Sequence, residues 1–381
     1  MTRAVASNPS RRRIRAGIPS LTLLLAGAAA ARAARIRRRV RPAGHAVPAA
    51  RRAVLLINPR SGGGKAQRLG LVGQCRARGI EPVVLQPGDD LAALAEAAVT
   101  RGADVVGMAG GDGSQGVVAG VAARHGVAMV VVPAGTRNHL AMDLGLDRGN
   151  VIGALDAFGT ARERTIDLGQ VNGRVFVNNV SLGLYAEIIR SPDYRDAKVE
   201  TTLSALPHLL GPGSRPFDLR FTGPVGEQHT AAHVVQVSNN PYGRTPGSLA
   251  SRPRLDGGQL GVVALELPDP AAREFLAAAA AGWPERVPGL IAWEAPTFTV
   301  DSGGPIDLGI DGETLRMTPP LAFTIRPGAL RIRLPQHALG LSPAARELRA
   351  HSTLRGLRAA FLRCAELGKL LAMQSTTVPR R

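Results

Sequence analysis

Short apolar runs alternate with helical stretches over the first part of the chain. Ala53–Ile57, Pro82–Leu85, Ala103–Met108 and Val127–Val132 have the apolar character of buried strands, and Ala66–Arg78, Leu91–Thr100 and Gln115–Arg124 read as helices. This alternation predicts a doubly wound parallel α/β domain over residues 53–163. From about Thr165 the pattern changes. Arg164–Asp167, Arg174–Asn178, Asp218–Phe221, Ala231–Ser238 and Leu260–Leu265 are short β-like runs broken by Gly, Pro and Asn. They predict a mostly antiparallel β-sandwich or open barrel over residues 164–335, with a cleft between the two domains. In the tail, residues 336–381, the apolar positions Leu354, Leu357, Phe361, Cys364, Leu367 and Leu371 recur at helical spacing between basic residues. Such a helix suits a membrane interface or packing on its own domain.

Three glycine-rich turns follow the predicted strands: Asn58-Pro-Arg-Ser-Gly-Gly-Gly-Lys65, Met108-Ala-Gly-Gly-Asp-Gly-Ser114 and Pro133-Ala-Gly-Thr-Arg-Asn138. Open parallel sheets bind ligands beyond the C-terminal ends of their strands, where all three turns fall. In the middle one, a strand, a glycine turn and a helix start form a ready anion site, because the first N–H groups of a helix lack partners within it. Gly110, Gly111 and Gly113 let backbone approach a phosphate closely. Asp112 sets a carboxylate where phosphates would repel it, which fits orientation of a metal ion, a water or a donor. A plain βα turn with a capping Asp or Ser is the alternative. The first turn lacks the GxxxxGK[ST] spacing of a P-loop. Near the end of the second domain, Ile310-Asp-Gly-Glu-Thr314 places two carboxylates on one turn, where one could take a proton from an alcohol. A hairpin turned at Asp-Gly is the alternative.

These four motifs, in this order, resemble the diacylglycerol kinase catalytic family, which includes bacterial soluble lipid kinases and sphingosine kinases and is distantly related to NAD kinases. The resemblance runs from about Ala53 to Leu334. It implies an ATP-dependent kinase, working with Mg²⁺, that phosphorylates a lipid alcohol, most simply diacylglycerol to phosphatidic acid. Asn58, Ser61, Gly110, Gly111, Asp112, Gly113, Ser114, Gly135, Thr136 and Asn138 would hold the nucleotide, with Lys65 bordering it. Glu313 would accept the proton, with Asp311 as its partner or a metal-linked acid. Asp112 would join them as a catalytic carboxylate, and Asp256 is the candidate ligand for a structural magnesium. Phe176-Val-Asn-Asn-Val-Ser-Leu-Gly183 resembles a family segment that returns to the cleft, and Tyr185–Leu210 is the candidate acceptor wall. The chain also departs from the family. His139 stands where the family commonly has Asp, Gln86 lies where some members have a nucleotide-touching Thr, and Gly257 replaces one of a common pair of acids.

Charge adds a partner. The chain carries +18, of which residues 1–52 hold +13 and residues 336–381 hold +6, leaving the middle near neutral. Basic tails around a neutral body suit an anionic membrane surface better than a nucleic-acid cleft, so no nucleic-acid partner is expected. The apolar run Gly17–Ala31 is shorter than the roughly 20 residues of a spanning helix. Residues 1–52 read as a disordered or mis-started leader, a membrane-surface anchor or a signal. An ATP-using enzyme with such tails is expected in the cytoplasm, peripheral at the inner face of the membrane, and a homodimer is one assembly open to it.

The remaining chemistry is sparse. Cys75 and Cys364 show no metal or disulfide spacing, and neither G-x-S-x-G nor H-E-x-x-H occurs. His45, His125, His208, His229, His233, His337 and His351 are scattered and receive no role. A kinase for another acceptor (a sphingoid, polyprenyl or glycolipid alcohol, or a soluble metabolite) and a non-catalytic nucleotide sensor at the membrane are the competing readings.

Overall fold

Ala53–Ile57, Val105–Gly110 and Ala128–Pro133 form the centre of a parallel sheet, and every residue in them is buried. Strands covered on both faces need continuous apolar runs, which is why these segments show no alternation. The computed structural model describes residues 44–184, 215–243, 251–266 and 289–350. Most of the leader, the Tyr185–Leu210 wall and the Leu354–Leu371 helix therefore lie outside the described residues.

The sheet runs in the order His45–Val47, Ala161–Val171, Leu321–Pro335, Ala128–Pro133, Val105–Gly110, Ala53–Ile57, Glu81–Val84. On one face Leu56, Met108, Met129 and Val131 pack in a core with Ala95, Ala98, Val118 and Ala122. On the other, Leu55, Ile57, Val130 and Val132 pack with Leu71, Cys75 and Phe158. The helix Leu91–Thr100 starts where Asp90 accepts the N–H groups of Ala92 and Ala93. The helix Asp112–His125 stops at Gly126, which takes the left-handed conformation common after a helix end. The single helix expected over Ala66–Arg78 is two short ones, Lys65–Arg68 and Leu71–Arg76, because Gly70 between them has φ +58°.

The second sheet has six antiparallel strands in the order Leu290–Ala295, Leu260–Leu265, Val234–Asn239, Asn179–Gly183, Ile306–Ile310, Glu313–Met317. Its inner face, with Val180, Leu182, Val235, Val237 and Leu308, packs on Val171, Phe298, Leu321 and Phe323 from the far ends of first-sheet strands.

Two strands belong to both lobes. Leu321–Pro335 pairs antiparallel with Ala161–Val171 along its length, with an irregularity between Arg326 and Leu330. Its last residues then run parallel to Ala128–Pro133, Ile332 opposite Met129. The chain thus passes into the second lobe and returns to complete the first sheet, so a boundary at residues 163/164 falls within a continuous strand. His45–Val47, in the stretch read as leader, is an edge strand on Ala161–Glu163.

Candidate active site

The three glycine turns meet backbone to backbone. A Cβ on Gly135 would collide with the Cα of Gly111, and one on Gly62 would collide with the carbonyl oxygen of Ala134. Glycine is required at these positions because main chain fills the space. The result is a cluster of turns at the C-terminal ends of three adjacent parallel strands, with the helix Asp112–His125 beginning among them.

Side chains lock the cluster. Asn138 is 5% exposed and has φ +54°, a left-handed conformation that asparagine tolerates. It accepts the N–H of Gly135 and donates to the carbonyls of Gly135 and Pro133, so it shapes the third turn from within. Asn58 accepts the N–H of Arg60 and shapes the first turn in the same way. Ser61 is half-buried and Thr136 exposed, and the Ser114 side chain lies beside Gly110. The ammonium of Lys65 lies 3.5 Å from the carbonyl oxygen of Pro133 and 3.4 Å from that of Arg148. Gln115 is buried and ties two strand ends, donating to the carbonyls of Met108 and Val132.

Asp112 reaches the neighbouring turn. Its two oxygens each accept one backbone N–H, from His139 and from Leu140, at 3.1 Å. The carboxylate therefore caps the short helix His139–Asp143 from outside and fastens the second glycine turn to the third. The imidazole of His139 stands close by. Burial, opposed by the carboxylates of Asp112 and Asp143, holds its pKa below the usual histidine value and favours the neutral ring.

From the second lobe, the turn Ile310–Glu313 comes down on this helix start. Glu313 is exposed, and its carboxylate fills the space a Cβ on Gly113 would need. Asp311 points one turn further along, its Oδ2 2.8 Å from where a Cβ on Gly116 would stand. It has φ +49° and turns its carboxylate inward onto the N–H groups of Val177, Asn178 and Asn179, at 2.9, 2.7 and 3.2 Å. Burial lifts its pKa to about 7, against the pull of these donors.

Sequence reading missed the polar layer behind the site. Arg252 and Asp143 form an ion pair with neither side chain exposed, at 2.7 Å. Burial opposes the charge on Arg252, but Asp143 more than offsets it and raises its pKa above the ordinary arginine value. The guanidinium also donates to the carbonyls of Val177 and Asn239 and to Oδ1 of Asn178, over the ring of Tyr242. Asp167 is another: it accepts the N–H groups of Gly258 and Gly328 and the amide of Asn240. Nothing in residue type or spacing marked these residues, since each depends on chain crossings set by the fold. Asp256 is exposed and paired with Arg254 at 3.0 Å. No group of three or more His, Cys, Asp or Glu side chains placed to hold a metal occurs among the described residues.

Glycine turns gathered at a helix start on one lobe, faced by a carboxylate from the other, are an arrangement that could serve transfer of a phosphoryl group onto an alcohol. The class is that of the ATP-dependent phosphotransferases with an alcohol group as acceptor. Residues 52–171 match the model of the diacylglycerol kinase catalytic domain. The Pseudomonas aeruginosa protein named "Probable lipid kinase YegS-like" is 28% identical over 293 residues, 74% of this chain and 94% of that one. A diacylglycerol kinase of Mycobacterium tuberculosis is 36% identical over 120 residues, 30% of this chain and 39% of the relative. One from Bacillus subtilis is 32% identical over 165 residues, 41% and 53% of the two chains. A crystal structure of a diacylglycerol kinase from Bacillus anthracis shares the fold, with a TM-score of 0.55 at 15% identity over 76% of this chain and 98% of that one.

Proposed function

We propose that the chain transfers the γ-phosphate of ATP to diacylglycerol, giving phosphatidic acid, at the surface of an anionic membrane. The observation that carries the reading is the seat of Glu313. An exposed carboxylate from the second lobe stands on the first turn of the helix whose N-terminus forms the anion site. A phosphoryl group held there would have a proton acceptor beside it.

The backbone of Gly110 to Gly113 and the hydroxyls of Ser61, Ser114 and Thr136 would hold the phosphates, with Lys65 adding positive charge. Asn58, Gly135 and Asn138 shape the turns around them. The acceptor oxygen bonds to the γ-phosphorus as the bond to ADP breaks, and its proton passes to Glu313. Asp311 is tied to three N–H groups and Asp112 to two. Both therefore position rather than take protons. Mg²⁺ bound with ATP would supply charge neutralisation at the phosphate oxygens. The oxygens of Asp112 each keep unused acceptor capacity, which suits them to that ion or its waters.

The +13 of residues 1–52 and the +6 of residues 336–381 would hold the enzyme at an anionic leaflet, each nearby basic residue contributing about 1 kcal/mol. No helix among the described residues is long and apolar enough to cross a membrane. ATP as donor favours the cytoplasmic face.

The test is transfer of labelled γ-phosphate from ATP and Mg²⁺ into a panel of lipid alcohols in anionic vesicles, with Glu313→Gln beside wild type. Label in phosphatidic acid that the variant fails to produce supports the reading. Label in another lipid renames the acceptor. ATP binding without transfer to any lipid or soluble alcohol would overturn the kinase assignment.

A further inference from the structure

Arg252 is among the largest fully buried side chains, and it belongs to none of the glycine or carboxylate motifs. We propose that Arg252 is the positioning residue that keeps Glu313 in register with the phosphate-binding helix start. The inference rests on the reading of Glu313 as proton acceptor.

The bonds form a closed ring through both lobes. Asp112, at the start of its helix, holds the N–H groups of His139 and Leu140. At the other end of that short helix, Asp143 accepts from the backbone N–H and the Nε of Arg252, at 2.9 and 2.7 Å. Arg252 passes the connection on through Nη1 to the carbonyl of Val177 at 2.6 Å and through Nη2 to Oδ1 of Asn178 at 2.8 Å. Val177 and Asn178 in turn give their N–H groups to Asp311. Asp311 lies against Gly116 and Glu313 against Gly113, on the helix where the ring began. Every step from the phosphate turn to the proton acceptor is a hydrogen bond or a packed contact.

Cohesion alone would not call for this arrangement. A buried ion pair replaced by apolar residues of similar volume is often neutral or stabilising. A planar guanidinium specifies direction as well as distance: its fixed fork holds four partners, Asp143, Val177, Asn178 and Asn239. Flexible apolar side chains could fill the volume but would leave the Val177–Asn179 segment, and with it the Asp311–Glu313 turn, free to shift. Displacement by about 1 Å at a reacting centre can cost on the order of 100-fold in rate.

The test uses the full chain with two variants, Arg252→Lys and the apolar double variant Arg252→Met/Asp143→Leu, each with and without Glu313→Gln. Thermal unfolding, binding of a non-hydrolysable ATP analogue, kcat and KM are measured. The double variant is expected to fold and to bind the analogue within about threefold of wild type, with kcat down on the order of 100-fold. Adding Glu313→Gln should then cost far less than it costs wild type, because the misplaced carboxylate has already lost its effect. If the double variant does not fold, Arg252→Lys carries the same expectations, since it keeps charge but loses the fork. A folded variant with near-normal kcat, a loss confined to nucleotide affinity, or full additivity with Glu313→Gln would overturn the inference. If Glu313→Gln alone is as active as wild type, the reading of Glu313 falls and the inference falls with it. An inactive Glu313→Gln beside an active Arg252 variant overturns only the role of Arg252.

Discussion

The carboxylate of Glu313 and the missing side chain of Gly113 occupy the same space. The glycine therefore admits the acid onto the helix start. Gly113→Ala should push Glu313 off the helix start while leaving the fold intact, because the atoms in the way are the far end of a flexible side chain. Alanine is also the better helix former, by about 1 kcal/mol. The expected result is an unchanged or slightly raised Tm with kcat down by on the order of 100-fold or more, the lower range for loss of a positioned base. A variant with full activity would separate Glu313 from the chemistry.

Gly135→Ala should behave differently. Its Cβ would meet the backbone of Gly111, which cannot rotate away. Overpacking of this kind costs about 1–3 kcal/mol, and here it would also force two glycine turns apart. Denaturant unfolding should show that loss, and nucleotide affinity should fall with it.

Asp112→Ala removes the external cap of the helix His139–Asp143 and leaves two backbone N–H groups without their acceptor. Stability should drop by about 0.5–2 kcal/mol. Asp112→Asn keeps one carbonyl acceptor and should recover part of it. Equal stability in all three proteins would show that water replaces the cap at no cost.

The buried carboxyl of Asp311 should leave a mark on stability against pH. Its folded-state pKa is raised from 3.8 to about 7, so the folded chain holds this proton more tightly than the unfolded one. The stabilising contribution is full below 3.8 and is lost as pH rises toward about 7. Asp311→Asn removes the titration. The stability of wild type relative to this variant should therefore decline through that window and level off above it. A difference that grows with rising pH would mean that the three N–H donors outweigh burial.

Much of this molecule could be read from its residues. The parallel strands stood out because double-sided burial demands uninterrupted apolar runs, as in Val127–Val132. The glycine turns stood out because close main-chain approach demands glycine, as at Gly111 and Gly135. Arg252, Asp143 and Asp167 carried no such mark. A buried arginine in sequence looks like a surface one, and its partners lie 109 residues away at Asp143 and 75 at Val177. The helix break at Gly70 was missed for a related reason, since a single glycine within a helical pattern is often tolerated.

The strand Leu321–Pro335 sets a limit on how the protein can be divided. All three glycine turns lie between residues 58 and 138, within the matched region 52–171. Yet the strand next to Ala128–Pro133 is supplied by residues about 200 positions later, Ile332 pairing with Met129. A fragment ending at residue 171 would expose a row of unpaired N–H and C=O groups along Ala128–Pro133 and uncover Met129 beneath it. The first sheet is therefore complete only once the chain has passed through the second lobe and the segment that presents Glu313 has been made.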